Sequence, residues 1–172
     1  MIISLLGYMG SGKSHISKLL SSKLNFKLID LDKEIIKRNN CSISEIFQKK
    51  GEVFFRKQER EALEEVLATE QNAILSLGGG TPVYYNNMDV INQNSISIYL
   101  SANIPTLTQR LYKQKDKRPL IANISDEALP EFIAKHLFER NPFYRKAQFM
   151  VSTDEKTPEE IVDEIIHLLP IR

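Results

Sequence analysis

Between Ile2 and Leu24 the chain passes from an apolar stretch, Ile2–Leu6, through Gly7-Tyr8-Met9-Gly10-Ser11-Gly12-Lys13-Ser14. It then enters a segment with Ile16, Leu19, Leu20 and Leu24 at helical spacing. A turn of the form G-x-x-x-x-G-K-S, set between a buried strand and a helix, leaves few architectures open. Its backbone N–H groups can wrap phosphate oxygens, and the helix N-terminus favours their negative charge. Lys13 is placed to reach the β- and γ-phosphates of a nucleotide, and Ser14 to offer its hydroxyl to Mg²⁺. The pattern points to nucleotide binding and does not by itself separate a kinase from other nucleotide-binding proteins. His15 reads as an ordinary helix residue rather than a catalyst, since no carboxylate is spaced to pair with it.

The same alternation continues along the chain. Further strands are predicted at Phe26–Asp30, Ala73–Leu77, Ile96–Leu100 and, weakly, Phe149–Val151. Helical stretches are predicted from Asp32 to Lys37, from Ser42 to a break at Gly51, and over Phe54–Leu67, Asn87–Asn92, Ile104–Tyr112 and Leu129–Tyr144. Pro142 should disturb the end of the last of these, and Pro158 opens a final helix. Strands alternating with helices imply crossover connections and a mainly parallel sheet. The apolar strands imply that both faces of that sheet are covered. Ligands then bind beyond the carboxyl ends of the strands, where the glycine-rich turn, Asp30, Asp32 and Gly78-Gly79-Gly80 should gather.

With 172 residues the chain reads as a single domain, residues 1–172. A net charge of +1 excludes the broad basic field that collects nucleic acid. One cysteine, Cys41, excludes an internal disulfide and, with three scattered histidines, a structural zinc site. No apolar stretch approaches the roughly 20 residues of a membrane span, and the N-terminus lacks a secretory pattern. The expectation is a cytoplasmic protein without membrane or nucleic-acid partners.

Phosphoryl transfer needs an acid near the metal and another to orient or deprotonate the acceptor hydroxyl. Asp30 and Asp32 flank Leu31, and strand alternation would send both to one face. Asp32 equally suits a helix N-cap, and Asp30 a solvated turn. Arg56, with Glu59 at i+3, and Arg140 lie on different predicted helices. Two rigid guanidinium groups make a good clamp for a planar carboxylate, although spacing does not show that they converge. The triple glycine would let backbone approach a substrate closely, or would serve as a flexible loop. An acid that many nucleotide-binding folds place after this strand is missing, which leaves the metal role, through water, to Asp30. Lys113 to Asn123 carry four positive charges, one acid and a Pro without helical periodicity. Bracketed by Arg110 and Arg118, the segment reads as a mobile lid at about 113–123 or as a solvated basic loop.

In this ordered set the chain resembles the shikimate kinase family over nearly its whole length. Gly7–Ser14 matches the family's nucleotide loop, and Asp30-Leu31-Asp32 its paired acids. Gly51-Glu52-Val53-Phe54-Phe55-Arg56 with Glu59 matches its substrate helix, and Gly78–Gly80 its triple glycine. Arg118-Pro119-Leu120 matches its lid, and Arg140 with Tyr144 its late helix. The resemblance implies an α/β, P-loop nucleoside-monophosphate-kinase-like fold, with a five-stranded parallel sheet flanked by helices. It implies ATP as phosphoryl donor, bound by Gly10, Ser11, Gly12, Lys13, Ser14 and His15, with Arg110 along the nucleotide. Mg²⁺ would be held by Ser14 and Asp30. Lys13, Asp32 and Arg118 would be catalytic, with Asp32 at the acceptor hydroxyl and Arg118 on the transferring phosphate. Shikimate would lie against Asp32, Arg56, Arg140 and Gly78–Gly80, in a substrate region of about residues 31–60. Glu59 would brace Arg56, and Phe47 and Phe55 would form an apolar wall. The enzyme is expected to act as a monomer.

Two departures from the family pattern are His15, where a small or polar residue is usual, and Val151-Ser152-Thr153, which often reads Val-Asp-Thr. Alternative readings are a kinase for another hydroxylated acid such as gluconate, and a nucleotide-binding protein without transfer activity.

Overall fold

The computed structural model describes residues 1–170. Five parallel strands, β1 (Ile2–Leu6), β2 (Lys27–Asp30), β3 (Ala73–Ser76), β4 (Ile96–Ser101) and β5 (Phe149–Ser152), form one sheet in the order β2-β3-β1-β4-β5. Seven helices connect and flank them: α1 (Lys13–Leu24), α2 (Leu31–Asn39), α3 (Ile43–Thr69), α4 (Asn87–Asn94), α5 (Ile104–Tyr112), α6 (Leu129–Tyr144) and α7 (Pro158–Leu168). The expected five-stranded parallel architecture is present.

The period-two pattern of β1 builds both sides of the core. Ile3 and Leu5 pack with Ile16 and Leu20 of α1 and with Ile161 and Ile165 of α7. Ile2 and Leu6 belong to the opposite layer, which includes Leu63 of α3, Leu107 of α5 and Leu137 of α6. Ser4, central and fully buried, satisfies its hydroxyl against Ser95 Oγ at 2.7 Å. The expectation that all strands are covered on both faces holds for the three inner ones. At the rim, Lys27 and Leu28 of β2 and Met150 of β5 are exposed, as an edge strand tolerates.

Two helix details shape the site. Helix α3 begins with a capping box, Ser42 against Glu45, and then turns a corner at Gly51, whose φ of 82° is left-handed. Only a residue without Cβ adopts that geometry at little cost. Helix α6 runs through Pro142 to Tyr144, so the expected disturbance does not end it early. Lys113–Asn123 is not wholly irregular, because Lys115–Lys117 forms a 3-10 turn and Ile121 is fully buried. Among the described residues no helix is long and apolar enough to cross a membrane.

Candidate active site

A cavity of about 520 Å³ opens beyond the carboxyl ends of β1, β2 and β3. Its walls include Gly10–His15, Asp30, Asp32, Ser76, Gly78, Gly79, Arg110 and Arg118. The sequence-predicted phosphate residues and both acids therefore share one chamber. Lys13 Nζ donates to Gly7 O at 2.7 Å and to Tyr8 O at 3.1 Å, so the ammonium is held under its own loop. Burial pushes its pKa down to about 8, and the positive charge of Arg118 acts in the same direction while Asp32 opposes it. Ser14 and His15 are exposed on the cavity side of the α1 N-terminus. Arg110 ties the loop to the segment just past β5, donating to Gly10 O at 3.1 Å and to Thr153 Oγ1 at 3.2 Å.

The two aspartates divide their positions differently from the alternation argument. Strand β2 ends at Asp30 and α2 starts at Leu31. Asp30 is the N-cap, its Oδ1 accepting from Lys33 N at 3.2 Å, while Asp32 sits in the first helical turn. The N-cap expected as the plain alternative for Asp32 thus belongs to Asp30. Both still reach the cavity, because the strand-to-helix corner lies at its floor. Asp32 has its pKa raised to about 6, chiefly by burial and then by the negative charges of Asp30 and Glu59, with Lys13 and Arg56 pulling the other way. A carboxylate poised near neutrality suits proton acceptance. Asp30 pairs in register with Ser76, two residues before the position after Leu77 where an acid is missing.

The triple glycine is a contact surface rather than a free loop. A Cβ on Gly78 would come within 3.1 Å of Asp32 Oδ1, and one on Gly79 within 3.0 Å of Arg140 Nη1. On Gly80 it would meet Arg56 Nη2 at 2.7 Å, closer than real Cβ atoms come. Three successive backbone units thus face an acid and two guanidinium groups in turn, which puts Arg56 and Arg140 beside neighbouring glycines of one turn. Each arginine is held. Arg56 Nη1 donates to Glu59 Oε1 at 2.8 Å, and Glu59 is only 1% exposed. Thr81 Oγ1 donates to the other carboxylate oxygen, also at 2.8 Å. Arg140 Nη1 lies 3.5 Å from Tyr144 Oη, which donates to Gly79 O at 2.6 Å. Phe47 and Phe55 stack with centroids 4.7 Å apart. Arg118 donates to Gln114 Oε1 through both Nε and Nη2, at 3.1 and 2.9 Å.

A family model for shikimate kinase matches residues 9–170. The chain belongs to the shikimate kinase family. The shikimate kinase of Flavobacterium johnsoniae is 50% identical over 168 residues, covering 97% of this chain and 98% of the relative. The crystal structure of shikimate kinase from Bacteroides thetaiotaomicron superposes with a TM-score of 0.92 at 36% identity, covering 99% of each chain. Shikimate kinase from Acinetobacter baumannii, solved in complex with shikimate, gives a TM-score of 0.85 at 30% identity over 97% of this chain and 91% of that one.

Three contacts in the site lie outside the motifs. Thr81 braces Glu59 from behind. Tyr8, inside the phosphate loop, is buried and shares a 2.9 Å hydrogen bond with His136 Nδ1 of α6. Tyr84 lies under Arg56, with Cζ over its ring 3.9 Å from the centroid. Thr81 and Tyr84 follow the triple glycine so closely that their neighbourhood was a signal, but no spacing rule names their partners. At the departure Val151-Ser152-Thr153, Ser152 Oγ pairs with Asp154, and Asp154 accepts from Asn103 N at 3.1 Å. A carboxylate is therefore present two residues after the position where the pattern lacks one.

Proposed function

We propose that this chain transfers the γ-phosphate of ATP to the 3-hydroxyl of shikimate, giving 3-phosphoshikimate and ADP. The observation that carries this reading is the order of groups along Gly78, Gly79 and Gly80: Asp32 beside the phosphate cavity, then Arg140, then Arg56. A ring acid lying along that backbone has its carboxylate between the guanidinium groups and a hydroxyl at Asp32. Asp32 accepts the hydroxyl proton as the oxygen attacks the γ-phosphorus. The bond from that phosphorus to the β,γ-bridging oxygen breaks, and ADP leaves. Lys13 and Arg118 hold the charge on the transferring group, and Arg110 lies along the nucleotide with the loop of Gly10–His15. The stacked Phe47 and Phe55 bound the ring, and Glu59 keeps Arg56 in place.

Mg²⁺ fits the donor set. Ser14 offers an exposed hydroxyl, and Asp30 keeps one carboxylate oxygen outside its helix-capping bond. Among the described residues there is no cluster of three or more His, Cys, Asp or Glu able to hold a metal alone. Two protein oxygens suit an ion that takes its other ligands from phosphate and water. Bound there, Mg²⁺ would neutralise charge on the phosphates. The segment 113–123 acts as a lid that excludes water, a competing acceptor. The protein works as a cytoplasmic monomer.

The deciding assay follows ATP consumption with shikimate, quinate, gluconate and AMP under identical conditions. Rapid turnover with shikimate alone is the expected pattern, and equal use of gluconate or AMP would overturn the assignment.

Arg56→Lys adds a sharper expectation. Lysine keeps the charge and loses the planar fork. A charged hydrogen bond is worth roughly 1.5–3 kcal/mol, so kcat/KM for shikimate should fall about ten- to a hundredfold or more. ATP affinity in the absence of shikimate should stay unchanged. Wild type should discriminate strongly against a shikimate analogue with a carboxamide in place of the carboxylate, and folded Arg56→Lys less so. Equal use of acid and amide by wild type would remove the carboxylate clamp from the mechanism.

A further inference from the structure

Arg56 is held in two ways, and the motifs account for one of them. Glu59 takes Nη1 at 2.8 Å along one edge of the guanidinium plane. A single edge bond leaves the plane free to roll about that contact. Tyr84 stops the roll. It follows the 3-10 turn Thr81–Val83 that leaves the triple glycine, and its ring lies under Arg56 Cζ at 3.9 Å from the centroid. Its own hydroxyl donates to Glu52 Oε1 at 2.7 Å, one turn earlier on α3 than Arg56. The same Glu52 oxygen lies 3.7 Å from Arg56 Nε. The guanidinium, the phenol ring and Glu52 therefore close a small circuit between α3 and the glycine turn. Arg56 Nε is buried without a hydrogen-bond partner, which leaves a donor on the side not taken by Glu59.

We infer that Tyr84 is a positioning residue for the acceptor's carboxylate, acting through Arg56, an inference that rests on the shikimate reading. Stacking a guanidinium on an aromatic face fixes its plane and lowers the entropy lost when a planar carboxylate forms parallel hydrogen bonds to it. The attraction comes from the ring's π face, so Phe supplies it as well as Tyr. The phenol hydroxyl has the separate task of keeping the ring in place through Glu52.

Tyr84→Leu and Tyr84→Phe test this with steady-state kinetics on shikimate and on its carboxamide analogue. Tyr84 is only half-buried, so both variants should fold; unchanged ATP affinity and unfolding midpoint check that. In Tyr84→Leu the KM for shikimate should rise about tenfold with kcat within about twofold of wild type, the size expected from losing one cation–π contact. Its preference for acid over amide should fall by a similar factor. Tyr84→Phe should recover most of both losses. If Tyr84→Leu raises KM for acid and amide equally, the ring merely fills space and the inference fails. If Tyr84→Phe is as impaired as Tyr84→Leu, the stack is not the carrier and the inference fails likewise. Wild type turning over shikimate while Tyr84→Leu matches it overturns only the role of Tyr84. Wild type failing on shikimate overturns the functional reading itself.

Discussion

Asp32→Asn binds ATP as tightly as wild type and loses most phosphoryl transfer, by about 10²–10⁴-fold, the usual contribution of a positioned general base. Asn keeps the size of the side chain and one acceptor oxygen, and the cap of α2 is untouched because Asp30 supplies it. Only the charge and the proton site are removed. The expected pH behaviour follows from the raised pKa of about 6. Because the carboxylate form is the active one, activity falls as pH drops through that value and is retained above it. Nucleotide affinity and single-turnover transfer, measured side by side across pH 5 to 8, check both parts. Transfer at a similar rate in Asp32→Asn would reduce this residue to a positioning group. Loss of the acidic limb in the variant, set against its presence in wild type, would tie that limb to Asp32.

Lys13→Ala produces the other large effect, and it falls on nucleotide and transfer together. In the free protein the ammonium is held by Gly7 O and Tyr8 O. Nucleotide phosphates offer it charged oxygens in place of these neutral carbonyls, and charge-assisted hydrogen bonds are the stronger kind. Its lowered pKa of about 8 still leaves it mostly protonated at neutral pH. Removing a donor aimed at developing charge costs about 10²–10³ in kcat, with weaker ATP binding in addition. Kinetics of folded Lys13→Ala, with its unfolding midpoint as control, measure the effect; near-wild-type kcat/KM would contradict the assignment of the loop.

Much of the fold and part of the site were legible in the residue pattern, for physical reasons that differ by element. Buried parallel strands are short apolar runs, so all five lie within a residue of their expected bounds at each end, Phe149–Ser152 among them despite an exposed Met150. The glycine break in α3 was visible because no other residue tolerates the backbone there. The division of Asp30 and Asp32 was not, because alternation holds only while the strand continues, and this one stops at Asp30. A cap is decided by the exact residue at which the chain turns helical. Nor does spacing show Arg56 and Arg140 meeting across the fold; the family resemblance supplied that expectation. The partner of Tyr84 was not legible, for a plainer reason. An aromatic residue after a turn has no periodicity, and its partner is set by packing between elements far apart in sequence.

The corner at Gly51 has one further result. In a continuous helix, residues 47 and 55 stand about 12 Å apart along the axis, too far for their rings to pack closely. Here the centroids are 4.7 Å apart. The meeting of the two rings is thus a product of a bend, and lengthening, shortening or straightening the chain at that one point would part them while every side chain stays the same. The spacing of the Phe47 and Phe55 rings is set, in this protein, at a residue with no side chain.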